Sequence, residues 1–306
     1  SSLSVDIDST SCIVNKEVSI KIPYFEGLDT VGASLTGFSF IILSERIQKL
    51  VDTEKIKTFN LEFEEGYKTI LSLLPDCDRL KISIKVKFPD SATTLSGCFE
   101  LIAIKKLDFG NSKITKMEAA FNSCDIFCDM VLPETLETIG VGCFNNCCFL
   151  EHIIFGHNIK KIEDYAFFNA IFKKIKTIII PPTCTHIGRN CFYNSSFDTL
   201  YIKPQSNIFI GAKAFSTSGI KNAELTGKIK FSPSSSNTDG IFYNCVKLQV
   251  LKMDKAVSLQ LPNGFCYACE KLKEVTLPQK LVSIKDSAFA ETAIETITFP
   301  ATLKCI

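Results

Sequence analysis

Apolar residues recur along the chain at intervals of 22 to 27 residues. Each interval is marked by a phenylalanine that follows a small or apolar residue and usually precedes a Cys, Ser, Ala or Thr by three positions. The marked positions are Phe99, Phe121, Phe144, Phe167, Phe192, Phe215, Phe242, Phe289 and, in place of a phenylalanine, Cys266. A period this regular predicts stacked repeats, in which each coil covers the apolar edge of its neighbour.

A second apolar pattern keeps step with these positions. It reads apolar-x-x-apolar-x-apolar and often ends in proline, as in 272–278 and 294–300. The final alternation predicts a strand with one buried face, and proline ends the strand because it has no N–H to donate. A shorter apolar pair follows, such as Leu136 and Ile139, and then the turn that carries the phenylalanine. One coil is therefore predicted to be a strand, a corner, a short second strand and a single helical or 3₁₀ turn.

These residues resemble the BspA-type leucine-rich repeat family, most clearly in the segment 272–289, LKEVTLPQKLVSIKDSAF. The resemblance covers about residues 89–306 and implies a mostly β (α/β) right-handed leucine-rich-repeat solenoid with a parallel sheet and short helical turns. It also implies relatives that are often cell-surface or secreted binding proteins of bacteria and anaerobic protists. The chain departs from the family pattern at Gly110 and Gly156, which replace Pro, and in an insertion at 231–239.

The first 88 residues are less regular than the rest. Strand-like segments occur at 18–23, 37–42, 56–63 and 80–88. Helical spacing occurs at 45–54 and 66–74. We interpret 1–88 as degenerate coils with helices on their outer side, capped by 1–22, and 89–306 as the regular array. An independent small domain in the first 88 residues is the alternative interpretation.

The end of the chain repeats part of the pattern. Residues 300–306 follow the spacing of residues 133–139 and stop before the next phenylalanine turn. A solenoid cut in the middle of a repeat has an uncovered apolar edge. We therefore expect the natural protein to continue beyond Ile306, or a partner to cover this end.

Composition excludes several classes of protein. Hydrophobic residues make up 46% of the chain, which is too many for a disordered protein. Lys and Arg number 34 against 33 Asp and Glu, so no global positive charge favours nucleic acid or an anionic membrane. Apolar runs are too short for a membrane span, and we expect no membrane insertion within these residues.

The 14 cysteines resemble small core residues. They alternate with Ala, Ser and Leu at equivalent repeat positions, as buried thiols do. Cys266 and Cys269 form a C-x-x-C pair, but a second pair is missing, so we expect no metal. Of Cys147 and Cys148, one is expected to point inward and the other outward. Disulfides between neighbouring coils stay open as an alternative.

Asparagine recurs two residues after the phenylalanine, at Asn146, Asn169, Asn194 and Asn244. Asparagine tolerates tight turns, which favours a structural role. Asn194 also begins a glycosylation sequon, and modification there is the alternative interpretation.

Motifs for catalysis are missing from the sequence. It contains no G-x-S-x-G, H-E-x-x-H or phosphate-binding loop, and its three histidines fall in different coils. We therefore expect no enzymatic activity, no catalytic residue and no cofactor.

One face of the predicted sheet offers a candidate binding site. In each front strand, the residue between the last two buried positions points outward. In four consecutive coils this residue is apolar, at Val131, Ile154, Ile179 and Tyr201. Asp129, His152 and Thr199 rim the stripe. The stripe would extend on the order of 15 Å and fits an interaction surface. The alternative is that β-branched residues simply favour strands, whether or not they bind anything.

Two functions are compatible with this reading. The first is a non-catalytic ectodomain at the cell surface or secreted, which binds a protein or glycan through the sheet face in adhesion or host interaction. The family resemblance supports that location. The second is a cytoplasmic repeat scaffold for protein–protein interaction, which free thiols would favour.

Overall fold

The computed structural model describes residues 11–14, 17–31, 47–52, 56–71 and 82–306. Within them the chain forms about nine turns of a β-solenoid with parallel sheets and almost no helix. The fold class expected from the repeat and from the family resemblance is confirmed.

The described residues fall into two compact units. The first unit comprises the described residues up to 136 together with 146–156, and the second comprises 137–145 and 157–306. In both units successive coils contribute two strands each. We call the strand of the longer apolar motif the front strand, and the shorter strand that follows it the back strand.

The first unit contains parallel rows of front and back strands. Its front strands, in the order in which they pair, are β2 (Glu17–Ile22), β4 (Thr58–Phe63), β6 (Ser83–Lys87), β8 (Ala103–Asp108), β10 (Asp125–Val131) and β12 (Phe149–Ile154). Its back strands are β3 (Thr30–Val31), β5 (Thr69–Leu71), β7 (Thr94–Ser96) and β9 (Lys116–Glu118). One further strand, β1 (Ser11–Val14), pairs antiparallel with β2.

The second unit repeats this arrangement. Its front strands are β14 (Thr177–Ile180), β16 (Thr199–Ile202), β18 (Asn222–Leu225), β20 (Val250–Lys252) and β23 (Glu274–Thr276). Its back strands are β11 (Thr138–Ile139), β13 (Lys161–Ile162), β15 (His186–Ile187), β17 (Asn207–Ile210), β19 (Gly227–Phe231) and β21 (Ala256–Val257). Two more short strands, β22 (Gln260–Leu261) and β24 (Ser283–Ile284), pair with each other.

The strands predicted in the first 88 residues occur where the structure describes them. The segments 18–23, 56–63 and 80–88 correspond to β2, β4 and β6. The segment 37–42 lies outside the described residues. β6 and β8, which lie on either side of residue 88 in the sequence, pair with each other in parallel.

Helix is rare in the described chain. Residues 47–52 are helical, within the predicted 45–54, and Asn237–Asp239 forms a 3₁₀ helix. The helix predicted at 66–74 is wrong in its described part, because Thr69–Leu71 forms β5. Its misleading signal is the buried pair Tyr67 and Ile70. The same three-residue spacing occurs in other coils, where the second residue of the pair lies in the back strand, as Ile139 does after Leu136.

The strand predicted at 294–300 is also wrong. No strand is assigned between Glu291 and Thr302 of the described chain, and Phe299 is 45% exposed. The alternation of apolar residues is present, but none of residues 291–300 is buried. Without that burial the pattern does not suffice to fix a strand.

Phenylalanine rings stack along the interior of each unit. In the second unit the fully buried series runs from Phe144 through Phe167, Phe192 and Phe215 to Phe242, with ring centroids 5.0 to 5.5 Å apart. At the next coil Cys266 leaves a gap, which Phe265 fills with its ring edge-on to Phe242 at 5.6 Å. The aromatic series therefore continues through the coil that has cysteine at the repeat position of the phenylalanine.

The turn that carries each phenylalanine contains left-handed residues. Asn146, Asn169, Asn194 and Asn244 have φ angles between 52° and 57°. This conformation favours asparagine over most other residues with a side chain, which supports the structural role. Tyr165, two residues before Phe167, is also left-handed. Because such residues interrupt the turn, the Phe167 turn forms three separate i to i+3 hydrogen bonds, donated by the amides of Ala166, Phe168 and Ala170, rather than a continuous helix.

The cysteines of this turn make a repeated hydrogen bond. The thiols of Cys124, Cys147, Cys245 and Cys269 each donate to the carbonyl of the phenylalanine one coil earlier, at 3.0 to 3.3 Å. The residue is therefore more than a small hydrophobe, because it also satisfies a buried acceptor. The twelve cysteines whose side chains the structure describes are free thiols, and Cys148 is exposed next to buried Cys147, so one thiol of this pair points inward and one outward, as predicted.

Truncation of one ladder ring should destabilise the fold strongly. Phe167 is fully buried and stacks on two rings at 5.0 Å. We expect Phe167→Ala to lower the free energy of unfolding by about 3–5 kcal/mol. Phe299→Ala, at a half-exposed phenylalanine, is the control and should change it by less than about 0.5 kcal/mol. Urea denaturation followed by circular dichroism measures both values. Equal losses in the two variants would contradict the ladder.

Because these thiols are buried, the fold is expected to lose stability at alkaline pH. Burial raises the pKa of Cys124 from 9.0 to about 12. Between these two values the unfolded chain loses the thiol proton while the folded chain keeps it, so stability falls as pH rises. The contribution is about 1.4 kcal/mol per pH unit for one thiol.

Cys124→Ala isolates this contribution, because alanine occupies the equivalent position at Ala170. The difference in unfolding free energy between the native chain and Cys124→Ala should be constant below pH 9 and should shrink steadily above it. A difference that does not change up to pH 11 would show that Cys124 ionises equally in both states.

Candidate functional site

The front strands of the first unit present apolar side chains to solvent in register. Val131 of β10 lies opposite Ile154 of β12. The two side chains are 57% and 45% exposed. Their neighbours along the strands, Met130 and Ile153, are buried. The alternation of buried and exposed residues therefore holds this pair outward on a rigid backbone.

A polar pair precedes the Val131–Ile154 pair in the same two strands. Asp129 lies opposite His152, and the carboxylate oxygen is 3.6 Å from His152 Nδ1. The Asp129 side chain is 70% exposed and that of His152 is 38% exposed. The pair therefore borders the apolar residues with groups that can donate and accept hydrogen bonds.

A bulge adds an aromatic side chain that the sequence analysis missed. The register of β10 against β12 shifts between Ile126 and Asp129, and Phe127 turns outward with 43% exposure. Its ring lies 4.5 Å from that of Phe149. The signal was present in the sequence: Ile126 and Met130 are four residues apart, where most coils have three. One extra residue between two core positions indicates a bulge.

The second unit presents a corresponding pair. Ile179 of β14 lies opposite Tyr201 of β16, and Thr177 lies opposite Thr199. Ile179 is 57% exposed. The Tyr201 ring is partly covered by the Lys203 ammonium, whose nitrogen is 5.0 Å from the ring centroid. The structure thus shows two outward pairs, one in each unit, and a single binding stripe over all four coils stays a prediction.

The earlier front strands of the first unit carry charges that neutralise one another. Lys85 bonds to Glu17 at 2.8 Å and Lys87 to Glu62 at 2.7 Å. The hydrogen bond from Lys85 lowers the pKa of the Glu17 carboxyl. Glu62, Lys85 and Lys87 line a shallow cleft of about 260 Å³. Paired and exposed charges of this kind contribute little to affinity.

The described residues offer few side chains that could bind a metal ion together. They contain no group of three or more His, Cys, Asp or Glu side chains that could hold a metal ion. Cys266 and Cys269 are both fully buried. Burial raises the pKa of Cys266, which opposes formation of the thiolate that a metal needs.

Among the described helices, none has the length and apolarity to cross a membrane.

The comparisons with known proteins agree with the repeat. Residues 60–173, 170–236 and 228–306 match the model of the BspA type leucine rich repeat region, in six copies. A leucine-rich repeat protein from Bacteroides ovatus has the same fold, with 17% identity and a TM-score of 0.52 over 97% of this chain and 88% of that one. A leucine rich cell surface protein from Faecalibacterium prausnitzii is 16% identical over 99% of this chain and 90% of its own, with a TM-score of 0.44. No curated protein is significantly similar.

Proposed function

Because the chain belongs to the BspA-type leucine-rich repeat family, we propose that it is a non-catalytic binding protein that recognises a protein or glycan through its front strands. The observation that carries the proposal is the outward group on β10 and β12. Phe127, Val131 and Ile154 are all more than 40% exposed. Exposed apolar side chains beside a polar rim are typical of interaction sites.

The fold explains why this group suits a ligand. Parallel strands fix the backbone under each outward side chain, so little conformational entropy is lost there on binding. The bulge directs Phe127 outward without disturbing the buried residues Ile126 and Met130. Asp129 and His152 add polar contacts at the border of the apolar group. A protein ligand or the apolar face of a sugar ring fits this combination.

We further propose display at the cell surface or secretion, in adhesion or host interaction. The support is the family resemblance, because members of the family are often found at the cell surface or are secreted. A cytoplasmic scaffold is the second candidate, and the twelve free thiols favour it, because disulfides persist mainly in oxidising compartments. A thiol count on denatured, unreduced protein from its natural source separates the two. Blocked thiols favour surface display and reactive thiols favour the scaffold.

Mutation of the outward group tests the binding site. The purified chain is tested against a panel of glycans and extracellular-matrix proteins, and the affinity for each ligand found is measured by surface plasmon resonance. We expect the double variant Val131→Ser, Ile154→Ser to bind at least about 10-fold more weakly, as for loss of an interface hot spot. Ile179→Ser, measured in the same way, tests the pair in the second unit by itself.

The matched control is Val141→Ser, at a valine that is 49% exposed in a turn outside the front strands. It should bind as the native chain does, and thermal denaturation should show that all variants remain folded. Native affinity of the double variant would contradict the proposed site. Failure of every glycan and matrix protein to bind would contradict the proposed surface role.

A further inference from the structure

The back strands of the second unit are interrupted beside β19. Residues Gly227 and Lys228 of β19 pair with Ala256 and Val257 of β21. The chain then leaves this row, and the next strand, β22, pairs with β24 instead. Within the described chain, 229–231 at the end of β19 therefore has β17 on one side and no strand on the other. A free strand edge of this kind can accept an additional strand.

A groove lies beside this free edge. Its volume is about 830 Å³, within the range of ligand sites. Val257 and Leu259 line it and are 39% and 62% exposed. Buried Ile229 and Phe231 belong to its lining as well. The groove thus combines an apolar surface with a strand edge that lacks a neighbour.

The insertion 231–239 forms part of the groove wall and is held in place. The Asn237 side-chain amide donates to the Ser287 hydroxyl at 2.9 Å, and Lys213 bonds to Asp239 at 3.1 Å. Gly240 packs so closely on the Gly264 carbonyl that no side chain fits between them. The wall is therefore fixed in the absence of a ligand, which reduces the entropy lost on binding.

The charged side chains that line the groove are all positive. Lys228, Lys230 and Lys285 line it, and all three are exposed. None of them forms an ion pair with another described residue, and no described Asp or Glu lines the groove. Some other lysines of the second unit are paired, as Lys203 is with Glu224. Three unpaired ammonium groups beside an apolar surface favour an anionic ligand with apolar side chains.

We propose that this groove is a second ligand site, distinct from the front-strand site, and that it takes an extended acidic peptide segment of a partner protein. The peptide backbone pairs with the free edge of β19. Alternate side chains pack on Val257 and Leu259, and carboxylates reach the three lysines. A peptide fits better than other anionic ligands because only a peptide backbone complements the free strand edge.

The test uses the full chain and a synthetic peptide of alternating valine and glutamate with a fluorescent label. Fluorescence anisotropy measures its affinity. We expect saturable binding that weakens when NaCl is raised from about 50 to about 300 mM. The same peptide with glutamine in place of glutamate should bind at least about 10-fold more weakly. Methylation of alternate backbone nitrogens should abolish binding, because it removes donors needed for strand pairing.

Protein variants locate the site. The double variant Lys228→Gln, Lys230→Gln and the variant Leu259→Ser should each weaken binding about 10-fold or more. Lys247→Gln, at an exposed lysine outside the groove, should change affinity less than about twofold. All replaced residues are exposed, so the variants should keep the native melting temperature.

Several results would overturn the proposal. Absence of saturable binding excludes an acidic peptide of this type. Equal binding of the glutamate and glutamine peptides excludes recognition by charge, and equal binding of the methylated peptide excludes strand pairing. Preferential binding to phosphatidylserine vesicles, lost in the Lys228→Gln, Lys230→Gln variant, would assign the lysines to a membrane surface instead.

Discussion

The stacking of each coil on the next is the constraint on which the structure depends. Parallel strands lie about 4.8 Å apart, and the ladder rings of the second unit lie 5.0 to 5.5 Å apart. The two spacings nearly coincide, so strand pairing and aromatic stacking can be satisfied together. The left-handed turn residues shape the turn that carries each ring, and the thiol-to-carbonyl hydrogen bonds join each coil to its neighbour. Each coil is completed by contacts with its neighbours rather than by contacts within itself.

Because the interior residues carry the fold, the outward residues are free to vary. Val131 and Ile154 add nothing to the ladder, and their exposure has no structural explanation beyond the strand preference of β-branched residues. The same freedom allows local irregularities, such as the bulge that turns Phe127 outward and the break between β21 and β22. Both proposed sites lie at or beside such irregularities, where the regular repeat is interrupted without loss of the interior contacts.

The sequence predicted those features that depend on the period of the repeat. The spacing of Phe144, Phe167 and Phe192 was enough to predict the stacked coils, and the positions of the asparagines were enough to predict the tight turns. The prediction failed at 66–74 because an apolar pair spaced by three residues fits a back strand as well as a helix. It failed at 294–300 because a strand also needs a covering neighbour, which the local pattern does not contain.

Other features depend on choices that the period does not specify. The outward position of Phe127 follows from one extra residue, which the sequence contains but a search for regular repeats passes over. The groove beside β19 follows from the pairing of β22 with β24 instead of continuation of the row. Contacts between residues far apart in the chain accompany this pairing, including Asn237 with Ser287, and a local pattern does not show such contacts.

Hydrogen exchange of the native chain, measured by mass spectrometry, tests the dependence of each coil on its neighbours most directly. The Phe167 amide donates to the Cys191 carbonyl at 2.8 Å, and the Phe192 amide donates to the Ala214 carbonyl at 2.7 Å. The account predicts that these turn amides exchange together, at a rate close to that of cooperative unfolding of several coils. It also predicts that amides of 294–300 exchange much faster. Fast and independent exchange at the Phe167 and Phe192 turns would contradict it.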